Sequence, residues 1–278
     1  MQKITIILLA VLSVFSSCNR KGCTDPEAEN YDERYKKDDG SCLYAPSAEI
    51  ILNFQHLFET NSVSTSTFNQ LIYQNENGNV LSITKLIYHI SDVRFHQANG
   101  DSIVIDGYHL IDLNDPASLS YILPKKLAYG YYNAIGFNLG FVQNDNTSGA
   151  YSDLNASNWG WPESLGGGYH QLQIEGQFIE TTTDTSGYAF HSGSTVRELV
   201  GSESVFHTNY IHYKIPVTEF YLGANASVEL KMNVAEWFKN PNLWDLNLLN
   251  NSLMGNYDAQ LKIRANGADV FTVGSITQ

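Results

Sequence analysis

Histidine, tryptophan and carboxylate side chains are the groups in this 278-residue chain whose spacing could do chemistry. They concentrate at 158–176, where Trp159 and Trp161 precede Gly166, Gly167 and Gly168, and His170 opens a strand-like run. Past the glycines the residues alternate: His170, Leu172, Ile174 and Phe178 share one face of an extended chain, and Tyr169, Gln171, Gln173, Glu175 and Gln177 the other. His170 is therefore expected to point with the apolar set. An imidazole carried towards a core beside two indoles is either a metal ligand or a core histidine satisfied by ordinary hydrogen bonds. His56 continues the apolar row of Ile50, Leu52 and Phe54, and His191 follows Tyr188, Ala189 and Phe190 in a third run. His96 adjoins a turn and reads as solvated. His89, His109, His207 and His212 lie inside strand-like runs and read as structural, and Trp237 and Trp244 read as core.

Other chemistries lack their motifs. The chain has no glycine-rich phosphate loop, nucleophile elbow, closely spaced cysteine pair for zinc, or His-Glu-x-x-His, and no serine or threonine sits where a neighbour would activate it. Binding rather than catalysis is expected, and the chain is read as no enzyme.

The elements that must position these groups read as strands. Alternation marks 48–58, 68–74, 80–97, 102–113, 130–140, the run after the glycines, 187–193, 205–222 and 226–234, with reversals at Asn77-Gly78-Asn79 and Asn99-Gly100-Asp101. A helix is expected to start at 234–238 and stop at Asn240-Pro241, with a second short one over 243–253. Segments 257–265 and 268–273, reversed at Asn266-Gly267, read as a closing hairpin. The fold class predicted is all-β: an antiparallel β-sandwich or barrel-like domain with one or two short helices near the C-terminus. The polar stretch 141–161 is long for a compact domain, as loops that bind something are. Its Asp145, Asn146, Asp153 and Asn155 could hold a structural calcium ion or simply make side-chain turns.

Composition sets the frame. Hydrophobic residues make up 43% of the chain and charged ones 16%, enough for a sizeable core. The net charge of −13 excludes nucleic acid as a partner, because no Lys/Arg cluster of the kind phosphates require is present. Residues 1–17 read as a lipoprotein signal: Lys3, an apolar run of twelve over 4–15, then Phe15-Ser16-Ser17-Cys18, which resembles a bacterial lipobox. Phe15 stands where a small aliphatic residue is usual. Cys18 is the expected lipidation site, tethering the chain to the membrane by acyl groups. Cys23 and Cys42 then form an even pair in an oxidising compartment, and a disulfide between them would contribute about 3 kcal/mol. Asp38 and Asp39, before Gly40, either hold calcium or make the turn that lets the bridge close. This divides the chain into a signal (1–17), a stapled spacer (18–47) and a β domain (48–278).

A set of ordered blocks carries a family resemblance: Gly136-Phe137-Asn138-Leu139-Gly140, Asn146-Thr147-Ser148-Gly149-Ala150, Trp159-Gly160-Trp161, Gly168-Tyr169-His170-Gln171-Leu172-Gln173-Ile174-Glu175-Gly176 and Phe190-His191-Ser192-Gly193. Tyr88-His89-Ile90-Ser91-Asp92-Val93, Tyr108-His109-Leu110-Ile111-Asp112 and Asp269-Val270-Phe271-Thr272-Val273 flank them. Together they resemble the MbnP family of periplasmic copper-binding proteins. The resemblance implies an all-β domain that binds copper in the Gram-negative cell envelope, for uptake, storage or delivery. It also implies a tryptophan oxidised to kynurenine by a partner di-haem enzyme of the MauG type. An indole N–H cannot ligate a metal, whereas the aromatic amine left by ring opening has a lone pair. Carried over by position, His56, His170 and His191 are the candidate ligands and Trp161 or Trp159 the candidate for oxidation, with Trp161 preferred. The alternative reading is a metal-free surface-binding or adhesive module on the same scaffold.

Overall fold

A computed structural model of the chain describes residues 20–26, 28–181 and 184–278. The expected signal and Cys18 lie outside these residues. Two compact units divide after Pro46. In the first, Cys23 and Cys42 are disulfide-bonded. Asp38 Oδ1 accepts the Gly40 N–H and Asp39 Oδ1 the Ser41 N–H, so both aspartates make turns.

The second unit is mostly strand: β1 (Ile50–Phe58), β2 (Lys85–Gln97), β3 (Ser102–Asp112), β4 (Gly130–Leu139), β5 (His170–Ile179), β6 (Thr185–Gly193), β7 (Thr195–Val200), β8 (Glu203–Thr208), β9 (Ile211–Leu222), β10 (Ala226–Asn233) and β11 (Phe271–Thr277), with short strands between. Two helices, α1 (Ser152–Ala156) and α2 (Tyr257–Asn266), complete the labelled elements. The large sheet runs β9-β4-β2-β5, with β3 on the other edge of β2 and β6 on the other edge of β5. A smaller sheet runs β11-β10-β1, where β10 pairs β1 in parallel while the remaining strand pairs are antiparallel. Alternating residues of both sheets meet in one core: Leu52 and Phe54 of β1, Leu230 and Met232 of β10, Leu86, Tyr88 and Ile90 of β2, Leu172, Ile174 and Phe178 of β5. Phe271 packs on Phe137, Tyr88 and Tyr213 with ring centroids 5.0 to 5.6 Å apart, joining the layers. This is an all-β sandwich.

Near the C-terminus the fold departs from the sequence reading. Residues 257–266 are helical, not a strand of a hairpin: the Asn256 side chain caps the Ala259 N–H, and Ala259, Gln260 and Ile263 form the buried helical face. Val234–Phe238 is a short 3-10 helix, and 243–253 remains irregular around the buried Trp244, Leu246 and Leu253. The expected strand at 68–74 shrinks to Tyr73–Gln74.

Beside β2 the large sheet forks. Residues 85–88 of β2 pair with β5, and residues 90–97 pair with β4 along the same edge. His89 sits where the two partners part, and its carbonyl accepts the Gly140 N–H at 3.1 Å.

Gly176 of β5 is packed against backbone: a Cβ there would lie 1.9 Å from the Ser82 carbonyl oxygen. Gly176→Ala should destabilise the domain by about 1–3 kcal/mol, read as a lower guanidinium midpoint. Gly160→Ala, where a Cβ meets nothing within 4 Å, should stay within about 0.5 kcal/mol of the parent.

Candidate metal centre

The fork opens on the face of the large sheet turned away from the main core. A second, small core covers it, made by Phe141, Leu154, Trp159 and Tyr169, with Ile87, Tyr108, Leu110 and Tyr151 packed against it. The 141–161 segment is held there by its own polar groups. Asn146 Oδ1 accepts the Tyr169 N–H and its Nδ2 donates to Thr195 Oγ1, each at 2.9 Å. The Tyr169 hydroxyl donates to Asn155 Oδ1 and accepts the Tyr151 N–H, and Tyr108 donates to Asp153. Three of the four side chains singled out as calcium donors, Asn146, Asp153 and Asn155, thus spend an oxygen on the protein. Asp145 lines a neighbouring cleft with Asp92, Asp106, Tyr108, Phe141 and Tyr151.

The two tryptophans arrive on one short piece of ladder. Gly160 bridges Tyr169, the Trp161 N–H reaches the Gly168 carbonyl and the His170 N–H reaches the Trp159 carbonyl, both at 2.9 Å. Both indoles therefore flank His170, with ring centroids at 5.4 Å for Trp159 and 5.0 Å for Trp161. Gly166, Gly167 and Gly168 all have positive φ, the conformation that lets the chain double back over so few residues. Gly193 of β6 is bare because Trp161 lies on it: a Cβ there would come within 2.4 Å of the indole.

His170 does not share the face of Leu172 and Ile174, contrary to the alternation. The ladder with β6 slips between His170 and Leu172, so one extra residue lies in β5 and its first side chain turns to the outer face. There its ring meets that of His191 at 5.5 Å. His191 reaches the same face by plain alternation from Phe190, which packs in the main core.

Hydrogen bonds fix the tautomers. His170 Nδ1 lies 3.1 Å from the Trp159 carbonyl oxygen, an acceptor only, so Nδ1 carries the proton and Nε2 a lone pair. That Nε2 is buried with no hydrogen-bond partner. His191 Nε2 donates to Glu175 Oε1 at 2.9 Å, and Lys85 Nζ holds the same oxygen at 3.1 Å, leaving the lone pair of His191 on Nδ1. Burial lowers the pKa of His170 to about 4 and lowers that of His191. Two neutral imidazoles, each with one nitrogen fixed and the other free, are suited to a transition metal of intermediate softness. Among the described residues no three His, Cys, Asp or Glu side chains converge as a ready-made cage. The arrangement is a two-nitrogen site walled by indoles.

His89 also belongs to this cluster, although the sequence reading left it structural. Its ring packs on Phe141, tilted by 43° with centroids 4.3 Å apart, and the Trp159 indole N–H donates to its Nδ1 at 3.0 Å. Its proton is therefore on Nε2, which is buried without a partner, and in that tautomer it is no ligand. The available signal was local: Tyr88 and Ile90 are core residues, so His89 between them must face the opposite side, where the long loop returns. His56 is not brought to the site. It belongs to the smaller sheet, points into the main core and bonds the Tyr88 hydroxyl at 3.0 Å. Trp237 and Trp244 are fully buried core residues.

The family model of MbnP matches residues 47–255, three-quarters of the chain. The chain belongs to the MbnP family. Among solved structures it is similar to MbnP from Methylosinus trichosporium at 13% identity, covering 83% of this chain and 99% of that one, with a TM-score of 0.49. Comparison with curated proteins found no match.

His56 gives a pH prediction independent of any metal. Burial lowers its pKa from 6.5 to about 4, so below the unfolded value the unfolded chain holds a proton that the folded one does not. Stability present above about pH 6.5 is lost as pH falls towards about pH 4, by roughly 3 kcal/mol from this group. Unfolding free energies measured across that window should fall less steeply for His56→Gln by about this amount.

Proposed function

We propose that this MbnP-family chain is a cell-envelope protein that takes copper as cargo at His170 and His191, for uptake, storage or delivery rather than catalysis. One observation carries the reading: a buried, partnerless His170 Nε2 whose ring is pinned through Nδ1 and stands 5.5 Å from a second pinned imidazole. A lone pair kept dry and unbonded costs about 1–3 kcal/mol, a cost that a ligand role accounts for. Imidazole nitrogens suit copper, and two of them among apolar walls suit a cuprous ion of low coordination number.

Trp161 is the better candidate for oxidation by a MauG-type partner. The indole N–H of Trp159 is used by His89, whereas that of Trp161 is buried and partnerless beside His170. Tethering through a lipidated Cys18, on the periplasmic side, belongs to the same proposal.

Metal analysis and intact-mass measurement of protein purified from its native envelope test this reading. The expected result is about one copper per chain, with cuprous affinity reduced by about tenfold or more in His170→Ala and in His191→Ala and unchanged in His56→Gln. Full copper binding retained in the His170→Ala/His191→Ala double variant would sink it. A protein that binds no copper and still engages a partner would favour the metal-free surface module, for which the exposed Leu199, Val200 and Phe206 of the β7–β8 hairpin are the observation.

A further inference from the structure

Farther along the same outer face, the large sheet gathers positive groups that the metal site does not use. On one rung, Gly136 of β4 stands directly between Lys214 of β9 and Arg94 of β2. Two residues to one side, Ala134 pairs with His96 of β2; two to the other, Asn138 pairs with His212 of β9. Alternation puts all four cationic or imidazole side chains on one face around a position that has no side chain.

The centre of this constellation is built, not merely crowded. A Cβ at Gly136 would lie 2.6 Å from the Tyr213 carbonyl oxygen and 3.4 Å from His96 Nε2, so the imidazole leans into the notch that the glycine leaves. That Nε2 is buried and has no hydrogen-bond partner. Asn138 is buried and orients the other members: its Oδ1 lies 2.9 Å from His212 Nδ1 and 3.4 Å from Arg94 Nη1, and its Nδ2 donates to Asp92 Oδ2 at 3.0 Å. His212 Nδ1 is then the donor, its Nε2 carries the lone pair, and the residue is exposed.

Charge is the second argument. The chain carries 29 acidic residues against 16 Lys and Arg, yet Lys214 has no ion pair among the described residues. Arg94 has a loose one, 3.8 Å from Asp92. Asp92 is the carboxylate that touches the group, through Arg94 and Asn138, and with Asp106 it lines the neighbouring cleft. Burial first, and then the charges of Lys214 and Arg94, hold His96 and His212 below the usual imidazole pKa. Repulsion between the guanidinium of Arg94 and the ammonium of Lys214 is what an oxyanion removes; these two groups and the free His96 imidazole are donors that phosphate oxygens accept from, and His212 becomes a donor at Nε2 on taking up the proton that a bound anion favours.

We propose that Arg94, His96, His212 and Lys214 form an oxyanion site over Gly136 that takes a phosphate group. It stands apart from the copper reading and needs no metal. The phosphate could be the free ion or part of a lipid headgroup, and the chemistry of recognition is the same.

Imidazole ring nitrogens, followed by long-range proton–nitrogen correlation, read the site directly. Inorganic phosphate is titrated against chloride at matched ionic strength and fixed pH, and soluble short-chain phosphatidylglycerol is titrated in parallel. Saturable shifts are expected at His96 and His212 with His56 and His109 unmoved, and binding should weaken about tenfold or more in Lys214→Glu, an exposed position. Tighter binding of the diester assigns the headgroup, and tighter binding of inorganic phosphate assigns the free ion. Shifts that chloride reproduces, or that persist undiminished in Lys214→Glu, overturn the proposal.

Discussion

The outer-face site depends on one departure from regular pairing, the extra residue of β5 between His170 and Leu172. A strand with strict period two would send His170 into the main core, where Leu172 and Ile174 already fill the space between sheets. The bulge lets one strand serve both faces: imidazole outward at its start, aliphatic side chains inward afterwards. Buried polar contacts hold it. Gln171 Nε2 donates to Ser192 Oγ at 2.7 Å, Ser192 Oγ donates to Gln260 Oε1 at 3.0 Å, and Gln260 Nε2 donates to the His191 carbonyl at 2.8 Å. Removing any one of these groups would strand another in a dry interior, at about 1–3 kcal/mol each. The chain therefore fixes the spacing of His170 and His191 from behind, through a residue of α2 that lies beyond the matched 47–255 span.

The same bulge explains which parts of the site were legible in the sequence. Alternation located β1 to β5 and placed His191 beside Phe190, because most of each segment keeps period two between the points where its ladder slips. It assigned His170 to the wrong face, because nothing in Tyr169-His170-Gln171-Leu172 announces an inserted residue. His89 was overlooked for a related reason: parity says only which side it faces, and its worth depends on the loop that returns over it. The length and polarity of 141–161 did signal something held in place, and what it holds is the second core around Trp159 and Tyr169. Residues 257–266 misled for a different cause. Asn266-Gly267 fits a hairpin turn and a helix end equally well, and the choice was made by tertiary burial of Ala259, Gln260 and Ile263 against the sheet.

Desolvation decides what kind of cargo such a site could accept. Burial pushes the pKa of His170 to about 4 and of His89 to about 3, so at neutral pH a proton is a poor competitor for the free imidazole nitrogen. The same dryness penalises an added charge. Glu175 is the only carboxylate bonded to a site histidine among the described residues, and Lys85 already balances it, so no surplus negative charge waits for a metal. The cost of bringing an ion out of water grows with the square of its charge, making a monovalent ion about four times cheaper to desolvate than a divalent one of equal size. Neutral nitrogen donors, aromatic walls and a cancelled carboxylate therefore all weigh towards the cuprous state of the proposed cargo, and they do so through electrostatics, before any preference of copper for one geometry enters.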